Sequence, residues 1–214
     1  VYATEPVHQT FDDGISQSEN VHQLIGPSDW QVAVDQLEAS LPNAKSVSLI
    51  VSWFGTDLRA GSCTVEPGVE TRHKKTSPLN WSVAGRNRNN AHLISSRGGN
   101  AAYGATPSDQ TVIAAISDLK ARGLSVTLTP FILMDIAEGN TLANPYGGSS
   151  QPVYPWRGRI TCHPAPGVSG TPDKTATAAS QIASFVGTAS RSDFSVSEST
   201  VHYSGPNEWS YRRM

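Results

Sequence analysis

The chain has few of the residues that hold disulfide-rich or metal-binding proteins together. Only Cys63 and Cys162 occur among its 214 residues, and no CxxC spacing exists. Two such distant cysteines indicate neither a disulfide framework nor a zinc knuckle. With His73 and His163 they also lack the local spacing of metal ligands. No glycine pair follows a strand in the manner of a phosphate loop, so the sequence predicts neither a metal nor a cofactor.

An excess of charge of either sign is also missing. The formal net charge is −2 at pH 7, so no overall basic field attracts nucleic acid or an anionic membrane. One local basic cluster, formed by Arg86, Arg88, His92 and Arg97, lies in an Asn- and Gly-rich stretch with few aromatic residues to stack on bases. We therefore expect no nucleic-acid partner.

Long hydrophobic runs are absent as well. No stretch approaches the roughly 20 apolar residues that cross a bilayer, so we expect no membrane span. Val1 begins no basic-plus-apolar signal sequence, and the chain stops at Met214 shortly after an apparent helix start. From these ends we expect a segment cut from a longer polypeptide.

Two parts of the chain repeat a helix followed by a strand. The first begins at Ser28, the predicted N-cap, with Gln31 as its capping-box partner, and leads to an apolar, β-branched strand over 46–54. About eighty residues later a helix begins at 107–109 and leads to a strand from 125. Such a repeat indicates a parallel sheet, which a closed (β/α) barrel or an open doubly wound sheet would both satisfy.

The remaining patterns are less regular. A third helix is predicted to begin at 171–173, an antiparallel hairpin over 194–203, and a fourth helix at 205–209. Pro130 is expected to end the pairing of the second strand. The two long connections, 55–106 and 135–170, follow the carboxyl ends of the strands, where barrels carry their sites.

Seven segments, taken in order, resemble one family, the gene transfer agent TIM-barrel-like domain of phage-type tail-tip hub proteins. They are LPNAKSVSL (41–49), VSWFG (51–55), TPSD (106–109), DLKARG (118–123), PFILMD (130–135), YPWRGRIT (154–161) and EWSYRRM (208–214). The resemblance spans nearly the whole chain. It implies an α/β fold, namely the N-terminal portion of a (β/α)8 TIM-barrel-like, glycoside-hydrolase-like domain with long β-containing insertions.

The same resemblance implies the domain organisation and the function. Residues 1–26 would be a lead-in from a preceding domain, and 27–214 an incomplete barrel. The parent protein would bind, and in an active form hydrolyse, bacterial envelope glycan. Its partners would be other tail or baseplate proteins and cell-wall polysaccharide. The expected location is the tail tip of a phage-like particle assembled in the bacterial cytoplasm. The alternative is a catalytically inactive structural module of the tail hub.

Glycoside hydrolysis requires two carboxyl groups, one protonated and one ionised. Asp57 follows the first strand and Asp135 the second, so both are candidate catalytic residues at the carboxyl face of a barrel. Glu208, next to an asparagine, is the third candidate. Each has an alternative interpretation, because aspartates are common in turns and a glutamate in the first turn of a helix is favoured by the helix dipole.

Aromatic and arginine side chains are the candidate sugar-binding residues. Trp53 and Trp156 could stack on sugar rings, and Arg157 and Arg159 could donate hydrogen bonds beside Trp156. Core packing and loop bracing are the competing interpretations. No GxSxG elbow supports a serine hydrolase, and a small-molecule α/β enzyme would need a cofactor fingerprint that the sequence lacks.

Overall fold

The computed structural model describes residues 4–154, 159–197 and 200–214. Three α-helices occur there: α1 (Asp29–Ser40), α2 (Asp109–Ala121) and α3 (Ala176–Val186). The strands are β1 (His8–Thr10), β2 (Ser16–Ser18), β3 (Ser46–Gly55), β4 (Val65–Glu66), β5 (Gly68–Val69), β6 (Lys75–Ser77), β7 (Ser82–Val83), β8 (Arg86–Asn87), β9 (His92–Leu93), β10 (Ser96–Arg97), β11 (Asn100–Ala101), β12 (Ser125–Met134), β13 (Phe194–Ser197) and β14 (Thr200–Tyr203). A short 3-10 helix precedes β13.

The two repeated helix–strand units form as the sequence predicts. Ser28 caps α1, its hydroxyl accepting the Gln31 backbone N–H at 3.3 Å, although the Gln31 side chain reaches that hydroxyl and not the Ser28 backbone. Ser108 caps α2 in the same way through the Thr111 N–H. Val34 of α1 and Leu119 of α2 pack together beneath the two long strands.

β3 and β12 are parallel and pair over ten residues, from Ser46 with Ser125 to Gly55 with Met134. The prediction that Pro130 ends this pairing is wrong. Pro130 lies opposite Val51, and the ladder continues for four residues beyond it. Among the described strands β12 has only β3 as a partner, so it is an edge strand. An edge strand tolerates proline because the missing backbone N–H can face away from the sheet.

The predicted portion of a TIM barrel is wrong. The sheet of β3 and β12 gains only β4, which is antiparallel and pairs with the last two residues of β3. The other described strands form five separate sheets of two or three strands, so no barrel closes. Among the described residues between β12 and α3 there is no further strand. The β13–β14 hairpin, predicted correctly, pairs with no other described strand. The fold is mixed α/β with small sheets.

Two helix starts also differ from the prediction. α3 begins at Ala176, capped by Thr175, and not at 171–173. Lys174 has a φ of 61°, which a right-handed helix does not allow, so Pro172 to Thr175 forms a turn instead. At 205–209 no helix forms, and only a turn follows at 211–213. Glu208 is therefore not a helix first-turn residue.

The N-terminal segment packs against the first long connection. β1 pairs with β2 and with β6, and Val7 is fully buried. Asn20 accepts a hydrogen bond from the Val7 N–H at 2.8 Å. The predicted domain boundary at residue 26 stays a prediction. However, β1 and β2, which precede this boundary, share a sheet with β6, which follows it.

The cap of α2 gives a test of local stability. Ser108 is 1% exposed and also bonds the Thr111 hydroxyl at 2.8 Å. We expect Ser108→Ala to lower the free energy of unfolding by about 1 kcal/mol, because it leaves a helix N–H without its acceptor. Ser117→Ala, on the exposed side of the same helix, should change it little. Urea denaturation of both variants measures the difference, and equal effects would contradict the capping role.

Candidate functional site

The carboxyl ends of β3 and β12 lie side by side. Gly55 and Met134, the last residues of the two strands, are paired, and the Asp135 N–H donates to the Gly55 carbonyl at 2.9 Å. Asp57 follows Gly55 by two residues. Asp57 and Asp135 follow the neighbouring carboxyl ends of β3 and β12, but these strands belong to a three-stranded sheet and not to the expected barrel. Their catalytic role stays a prediction.

Asp57 is 4% exposed and bound on both oxygens. Arg59 donates from its backbone N–H at 2.8 Å and from Nη2 at 2.6 Å, and Gln151 donates from Nε2 at 2.7 Å. Burial would raise the pKa of Asp57, but these hydrogen bonds outweigh it and keep the pKa below its usual value. Gln151 also bonds Leu58 and Ala143, so this amide fixes the second long connection to the end of β3.

Asp135 has an equally complete set of partners. His92 Nε2 lies 2.6 Å from one carboxylate oxygen, and the Ser95 N–H donates to the same oxygen at 3.0 Å. The Ser95 hydroxyl donates to the other oxygen. Burial would raise the pKa of Asp135, but the bonds from His92 and Ser95 hold it below its usual value. Asp135 is therefore ionised at neutral pH.

Aromatic rings surround this carboxylate. The hydroxyls of Ser95 and Tyr154 lie 3.1 Å apart, and the Tyr154 ring meets the Tyr103 ring edge-on at 5.9 Å. Phe54, fully buried, stacks on His92 at 6.1 Å and lies 5.7 Å from Tyr103. His92, Tyr103 and Tyr154 are themselves half-buried. We call His92, Ser95, Tyr103, Asp135 and Tyr154 the Asp135 cluster.

Glu208 lies in a different setting. It accepts hydrogen bonds from the backbone N–H groups of Thr188 and Ala189, at 2.8 and 2.9 Å, and from the Ser210 hydroxyl at 2.7 Å. Burial would raise its pKa, but these bonds lower the pKa to about 2. Glu208 thus braces the loop that follows α3, and its catalytic role stays a prediction.

Of the four predicted sugar-binding residues, Trp53 and Arg159 lie in the described parts of the chain. Trp53 is 5% exposed and packs against Trp209 with ring centroids 6.1 Å apart, so its ring belongs to the core. Arg159 is exposed. Trp156 and Arg157 lie outside the described residues, and their role stays a prediction.

Sequence reasoning missed most of the residues that surround Asp57 and Asp135. His92 entered it only as part of a basic patch, and Ser95, Tyr103 and Gln151 were not considered. These residues stand 31 to 94 positions from the groups that they contact. No spacing signal connects them, because long connections bring them to the strand ends.

Neither protein-family models nor the curated proteins match this chain. The family resemblance therefore stays a prediction. In the described parts of the chain no group of three or more His, Cys, Asp or Glu residues could hold a metal ion. No helix there is both long and apolar enough to cross a membrane.

The three candidate carboxylates share a property that bears on catalysis. The pKa of each of the three is lowered, whereas the acid of a glycosidase must be protonated near neutral pH. Asp57, Asp135 and Glu208 are therefore all ionised at neutral pH. Asp109 is the opposite case, because burial raises its pKa. It accepts the Ala84 N–H at 2.9 Å and lines a cavity of about 220 Å³ beside Trp53.

The lowered pKa of Glu208 predicts a pH dependence of stability. Since the folded pKa is about 2 and the ordinary value 4.5, its contribution is complete above pH 4.5 and is lost as the pH falls toward 2. We expect Glu208→Gln to be clearly less stable than the wild type at pH 6 and nearly equal to it near pH 2.

The measurement is urea unfolding across this pH range. The matched control is Glu138→Gln, since Glu138 is exposed and makes no hydrogen bond with the described residues. A difference between wild type and Glu208→Gln that stays constant with pH would contradict the bracing role of the charge.

Proposed function

We propose that this chain is a glycan-contacting segment of a tail-tip hub protein of a phage or gene transfer agent, with the Asp135 cluster as its contact site. The observation that carries the proposal is the ionised Asp135 carboxylate, fixed by His92 and Ser95 under the half-buried rings of Tyr103 and Tyr154. Polar groups held in place beside aromatic surface are typical of small-molecule sites.

Sugars are bound through stacking on aromatic rings and through hydrogen bonds, and the Asp135 cluster can supply both kinds of contact. The C–H face of a sugar ring stacks on aromatic rings such as Tyr103 and Tyr154. Its hydroxyl groups need hydrogen-bond partners, which the hydroxyl oxygens of Ser95 and Tyr154 supply as acceptors, since the Ser95 proton is already donated to Asp135. The Tyr103 hydroxyl donates to the Met134 carbonyl at 3.2 Å, and burial, followed by the Asp135 charge, raises its pKa, so it keeps this proton.

Binding without cleavage is the activity that these residues support best. Hydrolysis needs a protonated acid and an ionised partner flanking the bond. Asp57 and Asp135 are both ionised and both occupied by protein donors. Neither is left to protonate a leaving group.

The assignment to a tail hub rests on the seven ordered segments of the resemblance, which run from 41 to 214. On this proposal the partners are other tail or baseplate proteins and envelope polysaccharide. The location is the tail tip of a particle assembled in the bacterial cytoplasm.

A purely structural hub module is the second candidate. The bracing roles of Asp57, through Arg59 and Gln151, and of Glu208, through Thr188 and Ala189, favour it. Carboxylates used in this way hold long loops in place and need no ligand.

Co-sedimentation with purified peptidoglycan and envelope polysaccharide separates the two candidates. We expect the wild type to bind and Tyr103→Leu to bind roughly tenfold more weakly, the loss of about 1.4 kcal/mol that one aromatic contact can supply. The matched control is Tyr211→Leu, which removes an exposed tyrosine that stacks on Phe185 elsewhere.

Reducing-sugar release is measured in the same samples. We expect none above the buffer blank. Release that Asp135→Asn abolishes would establish an enzyme in place of a binding module. Absence of binding by the folded wild type, or equal weakening by Tyr103→Leu and Tyr211→Leu, would favour the structural module.

A further inference from the structure

A basic cavity of about 540 Å³ lies in the first long connection. Its wall carries the side chains of Arg72, His73, Lys74, Lys75 and Arg88, with Asp12 as its acidic member. The volume falls in the range of small-molecule sites, roughly 300–1,000 Å³. This cavity shares no residue with the Asp135 cluster and is not used by the proposed function.

Two of the cationic side chains, Lys74 and Arg88, are paired with carboxylates. Lys74 contacts Glu19 at 2.6 Å and Glu70 at 3.2 Å. Arg88, whose side chain is nine-tenths buried, donates from Nη1 to Glu70 at 3.1 Å and to the Thr71 carbonyl at 2.9 Å. Burial would lower the pKa of Lys74, but its two carboxylate partners raise it, so the ammonium stays charged. The positive groups are thus ordered before any ligand arrives.

The arrangement leaves donors without protein partners. The Nε–H of Arg88 is buried and makes no hydrogen bond within the described residues. Arg72 is exposed and likewise forms no ion pair with any described residue. Lys75 pairs with Asp12 at 3.2 Å, where both side chains are exposed. Four Lys and Arg side chains therefore face three carboxylates, and Arg72 provides the uncompensated charge.

We infer that this cavity binds the carboxylate or phosphate group of an acidic saccharide, with Arg72 as the principal contact and Arg88 and Lys74 as ordered supports. Arginine is suited to such groups because its planar guanidinium donates two parallel hydrogen bonds to them. The amides of Asn80 and Asn89, which line the same cavity, provide donors and acceptors for sugar hydroxyls.

Nucleic acid is the less suitable polyanion for this site. Single strands bind by stacking bases on exposed aromatic rings. Trp81, which lines the cavity, is only 5% exposed, and its indole N–H donates to the Thr106 carbonyl at 2.6 Å. A compact cavity with amides suits one charged sugar better than an extended backbone.

The test is titration of the wild-type chain with glucuronate, glucose 6-phosphate, inorganic phosphate, glucose and polyuridine, followed by calorimetry and by NMR of the arginine Nε–H signals. We expect at least one of the two acidic sugars to bind and to shift the Arg88 Nε–H signal, with glucose failing to bind. Binding of glucuronate alone would indicate a carboxylate ligand, and binding of glucose 6-phosphate alone a phosphate ligand. Binding of both would indicate a site that accepts either group.

Arg72→Gln should weaken the binding of the acidic sugar about tenfold. The matched control is Arg97→Gln, an exposed arginine on β10 outside the cavity, which should leave the affinity unchanged. Equal binding of glucose, stronger binding of polyuridine, no binding of either acidic sugar, or equal losses in the two variants would overturn the inference. None of these results depends on binding of peptidoglycan at the Asp135 cluster, so the two proposals fail separately.

Discussion

Ten consecutive residues of β3 pair in parallel with ten of β12, and the position of the two strand-end aspartates depends on that ladder. Parallel pairing places both carboxyl ends at one edge, so the turns that begin there are neighbours. α1 and α2 cover one face of the pair through Val34 and Leu119. Both long connections start from this edge, and both return residues to it.

The two aspartates at the edge are buried, and burial of a carboxylate is costly unless hydrogen bonds replace water. Asp57 obtains its bonds from Arg59 and Gln151, and Asp135 from His92 and Ser95. In each case a partner comes from the long connection that starts at the other strand: Gln151 reaches Asp57 from the second connection, and His92 and Ser95 reach Asp135 from the first. The same bonds that keep the carboxylates ionised therefore hold the connections against the strands. Both carboxylates are thus fixed in position as well as ionised.

Local signals explain what the sequence could predict. The cap at Ser28, the start of α2 within 107–109 and the two apolar strands depend on neighbouring residues, and they were predicted correctly. The barrel was wrong because repeated helix–strand units indicate parallel pairing but do not state how many strands join the sheet. The predicted start of α3 was wrong because Lys174 adopts a positive φ, and nothing in the neighbouring sequence signals that conformation. Partners such as Gln151, 94 residues from Asp57, are decided by tertiary packing alone.

The ionisation state of the two strand-end aspartates tests the account most directly. Carboxyl-carbon NMR can follow them from pH 7 to low pH, with Asp57→Asn and Asp135→Asn assigning the signals. The account predicts that both titrate below the ordinary aspartate value of about 3.9. A carboxyl group that is still protonated near pH 6, as the acid of a glycosidase would be, would contradict it.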